Sequence, residues 1–119
     1  MTLNELRDEV YEYAKKQGFH ETPTNLGESL MLVVSELSEA LEADRNGKRF
    51  AKTGVSADEI KLISGGFEKF ARGTVEEEIT DAIIRLFDIA GTLGMDLDRW
   101  VQSKMEYNKT RPYKHGKLY

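Results

Sequence analysis

The sequence predicts an all-α fold, an antiparallel bundle of the four-helix type with a short extra helical segment in its middle. Apolar residues recur every three or four positions in four long segments, and each segment begins with a helix-capping signal. No stretch shows the sustained alternation of a β-strand. A chain of 119 residues suits one domain and is short for two, so 1–119 is predicted to form a single domain.

The first two helices have clear starts and ends. Thr2 opens the first with a capping-box pattern, and helical spacing of apolar residues continues to Gly18. The loop "HETPTN" follows, and Asn25 then begins a second helix that ends after Arg45 at "NGK". Each start places a Glu three residues after the cap, where its side chain can bond back to the helix N-terminus.

The middle of the chain is less regular. Residues 46–73 contain glycines and no long periodic run, with one or two helical turns expected after Ser56. Thr74 then opens a third long helix that continues to Gly94. The extra helical segment therefore falls between the second and third long helices.

The last helix begins at Asp96 or Asp98 and runs to about Asn108, because Pro112 prevents its continuation. The C-terminal segment 104–119 carries a net charge of +4, whereas the rest of the chain carries −8. The acidic body argues against binding of a nucleic-acid polymer. The basic end suits either one bound anion or a solvated tail.

The composition argues against several classes of protein: those with disulfides or thiolate metal sites, membrane-spanning proteins and secreted proteins. The chain has no cysteine, so neither disulfides nor thiolate metal sites are expected. It has no apolar run long enough for a membrane span, and its charged first residues are unlike a signal peptide. These features predict a cytoplasmic protein that does not associate with membranes.

Each of two helices combines an apolar face with a pair of acids. In the second helix the predicted core face comprises Leu26, Leu30, Val33, Val34, Leu37 and Leu41. Nearly opposite lie Glu36 and Glu39, together with Leu32 and Ala43, which suggests that this side is also partly covered. In the later helix the predicted core face comprises Ile79, Ala82, Ile83, Leu86, Ala90 and Leu93.

A charged stripe runs beside the core face of the later helix, with Glu78 and Asp81 one turn apart and Arg85 and Asp88 further along. Each pair alone is typical of a solvated helix face, and an internal Asp81–Arg85 ion pair would explain the later one. Two acidic pairs on helices that face each other would repel, and a divalent cation removes that repulsion.

The ligand types then select among metals. Carboxylates without nearby Cys or His favour Mg²⁺, with Mn²⁺ possible, over zinc. A di-iron bundle needs Glu-x-x-His pairs, and His20 and His115 both lie outside the acidic helices.

Taken together, these motifs resemble the MazG-like family within the all-α nucleoside triphosphate pyrophosphohydrolase superfamily. The family's Glu-Glu-x-x-Glu helix is similar to Ser35-Glu36-Leu37-Ser38-Glu39, and its Glu-x-x-Asp helix to Glu78-Ile79-Thr80-Asp81. The ending "KMEYNKTRPYKHGK" resembles an Asn-x-x-Arg segment found in many members. Ser35 replaces the usual first Glu, and the connection from Asp44 to Gly73 is longer than in compact relatives.

The resemblance implies hydrolysis of a (deoxy)nucleoside triphosphate to a monophosphate and pyrophosphate, in control of nucleotide pools. It implies metal binding by Glu36, Glu39, Glu78 and Asp81, with Glu39 as a candidate proton acceptor for the attacking water. Binding of the triphosphate is expected from the basic end, by a point charge at Lys104, a hydrogen bond from Asn108 and bidentate contacts from Arg111.

Two further expectations concern assembly and the competing function. Family members are commonly dimers or tetramers, and the second helix carries apolar residues on more than one side, so a homodimer or homotetramer is expected. The alternative function is a non-catalytic helical module that oligomerises or binds a partner through an acidic groove.

Overall fold

The protein is all-helical, as the sequence predicts. A computed structural model describes residues 1–119, of which 70% are helical, with no strand. The helices are α1 (Leu3–Lys16), α2 (Leu26–Arg45), α3 (Ala57–Ile60), α4 (Val75–Leu93) and α5 (Leu97–Lys109). Short 3₁₀ turns cover Phe50–Lys52 and Tyr113–Gly116, and a π-helical turn covers Phe67–Ala71. None of the helices combines the length and the apolarity that crossing a membrane requires.

The helices begin where the capping signals predict. The Thr2, Asn25 and Ser56 side chains accept hydrogen bonds from the backbone N–H three residues on, at the starts of α1, α2 and α3. Asp96 does the same for α5, and Thr74 accepts from the N–H of Glu77 at 3.3 Å. The short helix expected after Ser56 is present and has a complete capping box.

The chain divides into two compact units, residues 23–86 and residues 1–22 with 87–119. In the unit of residues 1–22 and 87–119, side chains of α1 and α5 accept hydrogen bonds from the N-terminal N–H groups of each other's helix. The Asp98 carboxylate accepts from the backbone N–H groups of Leu3 and Asn4, at 3.0 and 3.2 Å, and the Asn4 side-chain oxygen accepts from the N–H of Leu97 at 2.8 Å. Polar side chains thus join the two helices at their N-terminal ends.

In the unit of residues 23–86, the start of α4 anchors the connection that follows α2. The Glu76 carboxylate accepts from the backbone N–H groups of Phe50 and Ala51, at 2.9 and 3.0 Å. The Val75 N–H donates to the Lys48 carbonyl at 3.0 Å. This part of the connection is therefore attached to the same helical turns that carry the acidic pair of α4.

The predicted core face of α2 was wrong for the single chain. Val33 is buried, but Leu30, Val34, Leu37 and Leu41 are between 45% and 59% exposed. The buried residues of α2 are Val33, Glu36, Ala40 and Ala43. The side of α2 that carries Glu36, Ala40 and Ala43 therefore faces the interior.

The predicted core face of α4 is confirmed only at its alanines. Ala82 and Ala90 are each 3% exposed, whereas Ile79, Ile83, Leu86 and Leu93 remain about half exposed. Alanine permits close approach of neighbouring backbones, and the branched side chains beside it extend toward solvent. The apolar stripes of both long helices thus lie largely outside the core of the single chain.

Candidate metal centre

Three of the four predicted metal-binding carboxylates come together in the unit of residues 23–86. Glu36 of α2 and Glu78 and Asp81 of α4 each offer one carboxylate oxygen, and these three oxygens lie within 4.8 Å of one another. Glu78 and Asp81 are three residues apart, so both project from one side of α4 toward Glu36. Glu36, Glu78 and Asp81 together form the acidic cluster.

The acidic cluster is partly removed from water. Glu36 is buried, with 9% of its surface exposed, and both acids of α4 are half-buried. A buried carboxylate requires a compensating charge or hydrogen bond. Glu36 has one, because the Arg85 Nε–H donates to its Oε1 at 2.7 Å.

Burial and the neighbouring carboxylates raise the pKa values of two acids on α4, Glu78 and Asp81. Burial and the nearby carboxylates of Glu39, Glu77 and Asp81 together raise the pKa of Glu78 to about 7. Burial and the charges of Glu36 and Glu77 likewise raise the pKa of Asp81, against the opposing effect of Arg85 and Arg72. Negative charge in the cluster is therefore only partly neutralised by the protein itself.

The fourth predicted ligand, Glu39, lies outside the group of three oxygens. It is exposed, and it lies close enough to Glu78 to help raise the pKa of that carboxyl. Ser35, which replaces a family Glu, is also exposed and donates to the Leu32 carbonyl of its own helix at 2.6 Å. The hydroxyl of Ser35 is thereby engaged with the backbone.

Sequence reasoning missed the partner of Arg85. Spacing within α4 indicated an ion pair with Asp81, but the guanidinium instead bonds to Glu36, 49 positions away. Glu77 lies at the start of α4, three residues after Thr74; its side chain is 9% exposed, accepts from the Gly73 N–H at 3.1 Å and pairs with Arg72 at 3.7 Å. Pairing between Arg85 and Glu36, which are 49 positions apart, has no local signal in the sequence.

The predicted phosphate-binding residues belong to the other unit, at the end of α5. Lys104 and Arg111 both lie over the ring of Tyr107, at 4.8 and 5.7 Å from its centroid. Asn108 is half-buried, and its side-chain oxygen is buried without a hydrogen-bond partner. The sequence had not indicated Tyr107, which brings the two cations together.

The donor set of the acidic cluster fits a hard divalent cation. Carboxylate oxygens from two helices are the ligands that Mg²⁺ and Mn²⁺ prefer, and no sulfur or imidazole takes part. Burial, together with the charges of neighbouring carboxylates, raises the pKa of Glu78 and of Asp81, and added positive charge would oppose the repulsion among these acids. Glu36, Glu78 and Asp81 are accordingly the residues that would hold such an ion, with Glu39 beside them.

Comparison with known proteins adds no relative. No protein-family model matches the chain, and no curated protein or solved structure is significantly similar to it.

Proposed function

We propose that this chain is a Mg²⁺-dependent nucleoside triphosphate pyrophosphohydrolase of the MazG-like kind, acting in control of nucleotide pools. The convergence of Glu36, Glu78 and Asp81 supports this proposal most directly, since it places the acids of both motifs around one point. The all-helical fold is compatible with the MazG-type bundle that the motifs resemble. The reaction cleaves a (deoxy)nucleoside triphosphate between its α and β phosphates.

Each group has a role in this proposal. When bound, Mg²⁺ or Mn²⁺ supplies positive charge for the phosphoryl oxygens and acidifies water. The cluster carboxylates hold the ion, and Glu39, exposed and close to Glu78, accepts a proton from the attacking water. For the triphosphate, the basic end offers Lys104 and Arg111 as cations and Asn108 as a hydrogen-bonding amide.

The direct test measures pyrophosphate released from a panel of nucleoside and deoxynucleoside triphosphates, with Mg²⁺ and with EDTA. Asp81→Asn and Glu39→Gln are each expected to lose ~100-fold or more in rate, because positioned charge carries this type of catalysis. Glu42→Gln, an exposed acid one turn beyond Glu39, is the matched control and should retain the rate. Folded Asp81→Asn and Glu39→Gln proteins with wild-type rates would exclude the proposed site.

We also propose that the chain forms a homodimer or homotetramer. The half-exposed stripe Leu30, Val34, Leu37 and Leu41 supports this, because apolar rows of this size on a helix usually contact another surface.

The same stripe favours the alternative function, a non-catalytic module that oligomerises or binds a partner. That alternative predicts no turnover of any nucleotide and thermal stability that does not depend on metal.

A further inference from the structure

We infer that Arg85 is a built-in counter-ion of the acidic cluster, which a divalent cation must displace from Glu36, so that Arg85 sets the metal affinity. This inference rests on the metal centre of the proposed function and adds a competitor within it. Its basis is the 2.7 Å hydrogen bond between the Arg85 Nε–H and Glu36 Oε1. A charge-assisted hydrogen bond of this length is among the stronger polar contacts in proteins.

The hydrogen bond from Arg85 to Glu36 lies where it would compete with a metal ion for the Glu36 carboxylate. Glu36 contributes its ligand oxygen from a side chain that is 11% exposed, so few directions remain open around that carboxylate. The guanidinium and a metal ion would both bring positive charge to the same carboxylate group, and each repels the other. Binding of the ion therefore requires the Arg85 side chain to withdraw from Glu36.

The surroundings of Arg85 permit that withdrawal. Its side chain is 41% exposed, and its only ion pair is the one with Glu36. Once Arg85 is released toward solvent, hydration of its guanidinium offsets part, but not all, of the lost hydrogen bond. Arg72, by contrast, pairs with Glu77, which is not part of the acidic cluster. Arg85 is thus the one cation bonded directly to a candidate ligand.

The test is titration of the full-length protein with Mn²⁺ alone, by calorimetry at pH 8, without nucleotide. Arg85→Gln should bind Mn²⁺ about tenfold more tightly than wild type, the effect of losing one competing charge-assisted hydrogen bond. Arg72→Gln removes the same charge without touching a ligand and should change the Kd about twofold or less. Arg85→Lys keeps the charge and should restore a Kd close to wild type.

A second measurement needs no variant. In wild type, the Arg85 Nε–H is expected to exchange slowly with solvent because Glu36 holds it, and saturating Mg²⁺ should abolish that protection in ¹⁵N spectra. A protected Nε–H with metal bound, or an Arg85→Gln affinity no tighter than wild type, overturns the inference and leaves the metal centre intact. Absence of Mn²⁺ binding in every protein overturns both.

Discussion

The carboxyl of Glu78 is surrounded by other acids on two helices. Its burial and its proximity to Glu39, Glu77 and Asp81 together raise its pKa from 4.5 to about 7. At neutral pH and without metal, the Glu78 carboxyl is therefore protonated in about half of the folded molecules. Folding and metal binding both become linked to the protonation of this residue.

We predict that Glu78 makes the metal-free protein less stable at higher pH. Because the folded state binds the Glu78 proton more tightly than the unfolded state, the free energy of unfolding should fall as pH rises from about 4.5 through about 7. Urea denaturation in EDTA at pH 5 and pH 8 measures this change. Glu78→Gln should show a smaller decrease between these pH values, whereas an identical decrease in both proteins contradicts the prediction.

Gly91 of α4 is required by its neighbour on α1. A Cβ atom at this position would lie 2.7 Å from the Cβ and Cγ of Tyr11, well inside van der Waals contact. The Tyr11 ring also stacks on His20, at 5.1 Å between centroids, and His20 bonds to Asp88 at 2.8 Å. Movement of the Tyr11 ring would therefore disturb several contacts of the same unit.

We expect Gly91→Ala to lower the free energy of unfolding by ~1–3 kcal/mol, the usual cost of overpacking. Denaturant unfolding of the single variant measures this loss. In a Tyr11→Gly background the same substitution should cost much less, because the clashing Cβ and ring atoms are gone and alanine favours helix at position 91. Equal costs in the two backgrounds would show that the Tyr11 contact is not responsible.

At the scale of elements, α1 and α5 depend on each other for their N-terminal hydrogen bonds. Asp98 bonds to the first N–H groups of α1, while Asn4 bonds to the first N–H of α5 and to Asp96 at 2.9 Å. These N–H groups have no partner within their own helices. The helix pair is therefore held by two side chains that are over ninety residues apart in sequence.

We predict that Asp98→Ala lowers the free energy of unfolding by ~1–2 kcal/mol, because it leaves two N–H groups of α1 without their acceptor. Asp8→Ala is the matched control, since Asp8 is exposed and pairs only with its neighbour Arg7. The control should change stability by about 0.5 kcal/mol or less. Equal losses in the two variants, measured by urea denaturation, would argue against a capping role for Asp98.

The boundaries of the elements were largely predictable. The caps at Thr2, Asn25 and Ser56 act on residues three positions away, so their signals are local and the predicted starts are confirmed. The path of residues 46–73 was not predictable in the same way. Glu76 holds the N–H groups of Phe50 and Ala51 from a later helix, and no short-range pattern records such a contact.

At the scale of the whole molecule, the chain buries little large apolar surface. Its buried apolar residues are six alanines and one valine, and no large side chain is fully buried. Small domains often complete their cores by association, because a short chain cannot enclose all of its apolar surface. The exposed leucine stripe of α2 is the surface where we expect that association.

We predict that wild type has two or four times the 13.6 kDa mass of one chain in light scattering, and that Leu37→Glu shifts it toward 13.6 kDa. Leu37 is 50% exposed in the single chain, so a charge there should be tolerated by the fold but not within an apolar interface. Leu62→Glu, at an exposed site on the connection, should remain oligomeric. A monomeric wild-type protein at micromolar concentration would exclude the assembly.

The sequence by itself determined the helical class, the helix starts and the one-turn spacing of Glu78 and Asp81, because each depends on residues three or four positions apart. Only the tertiary structure decided which side of α2 is buried, and that Arg85 bonds to Glu36 instead of Asp81. Both outcomes depend on how α2 and α4 approach each other. That approach joins segments 49 positions apart, where the buried carboxylate of Glu36 is paired with the guanidinium of Arg85.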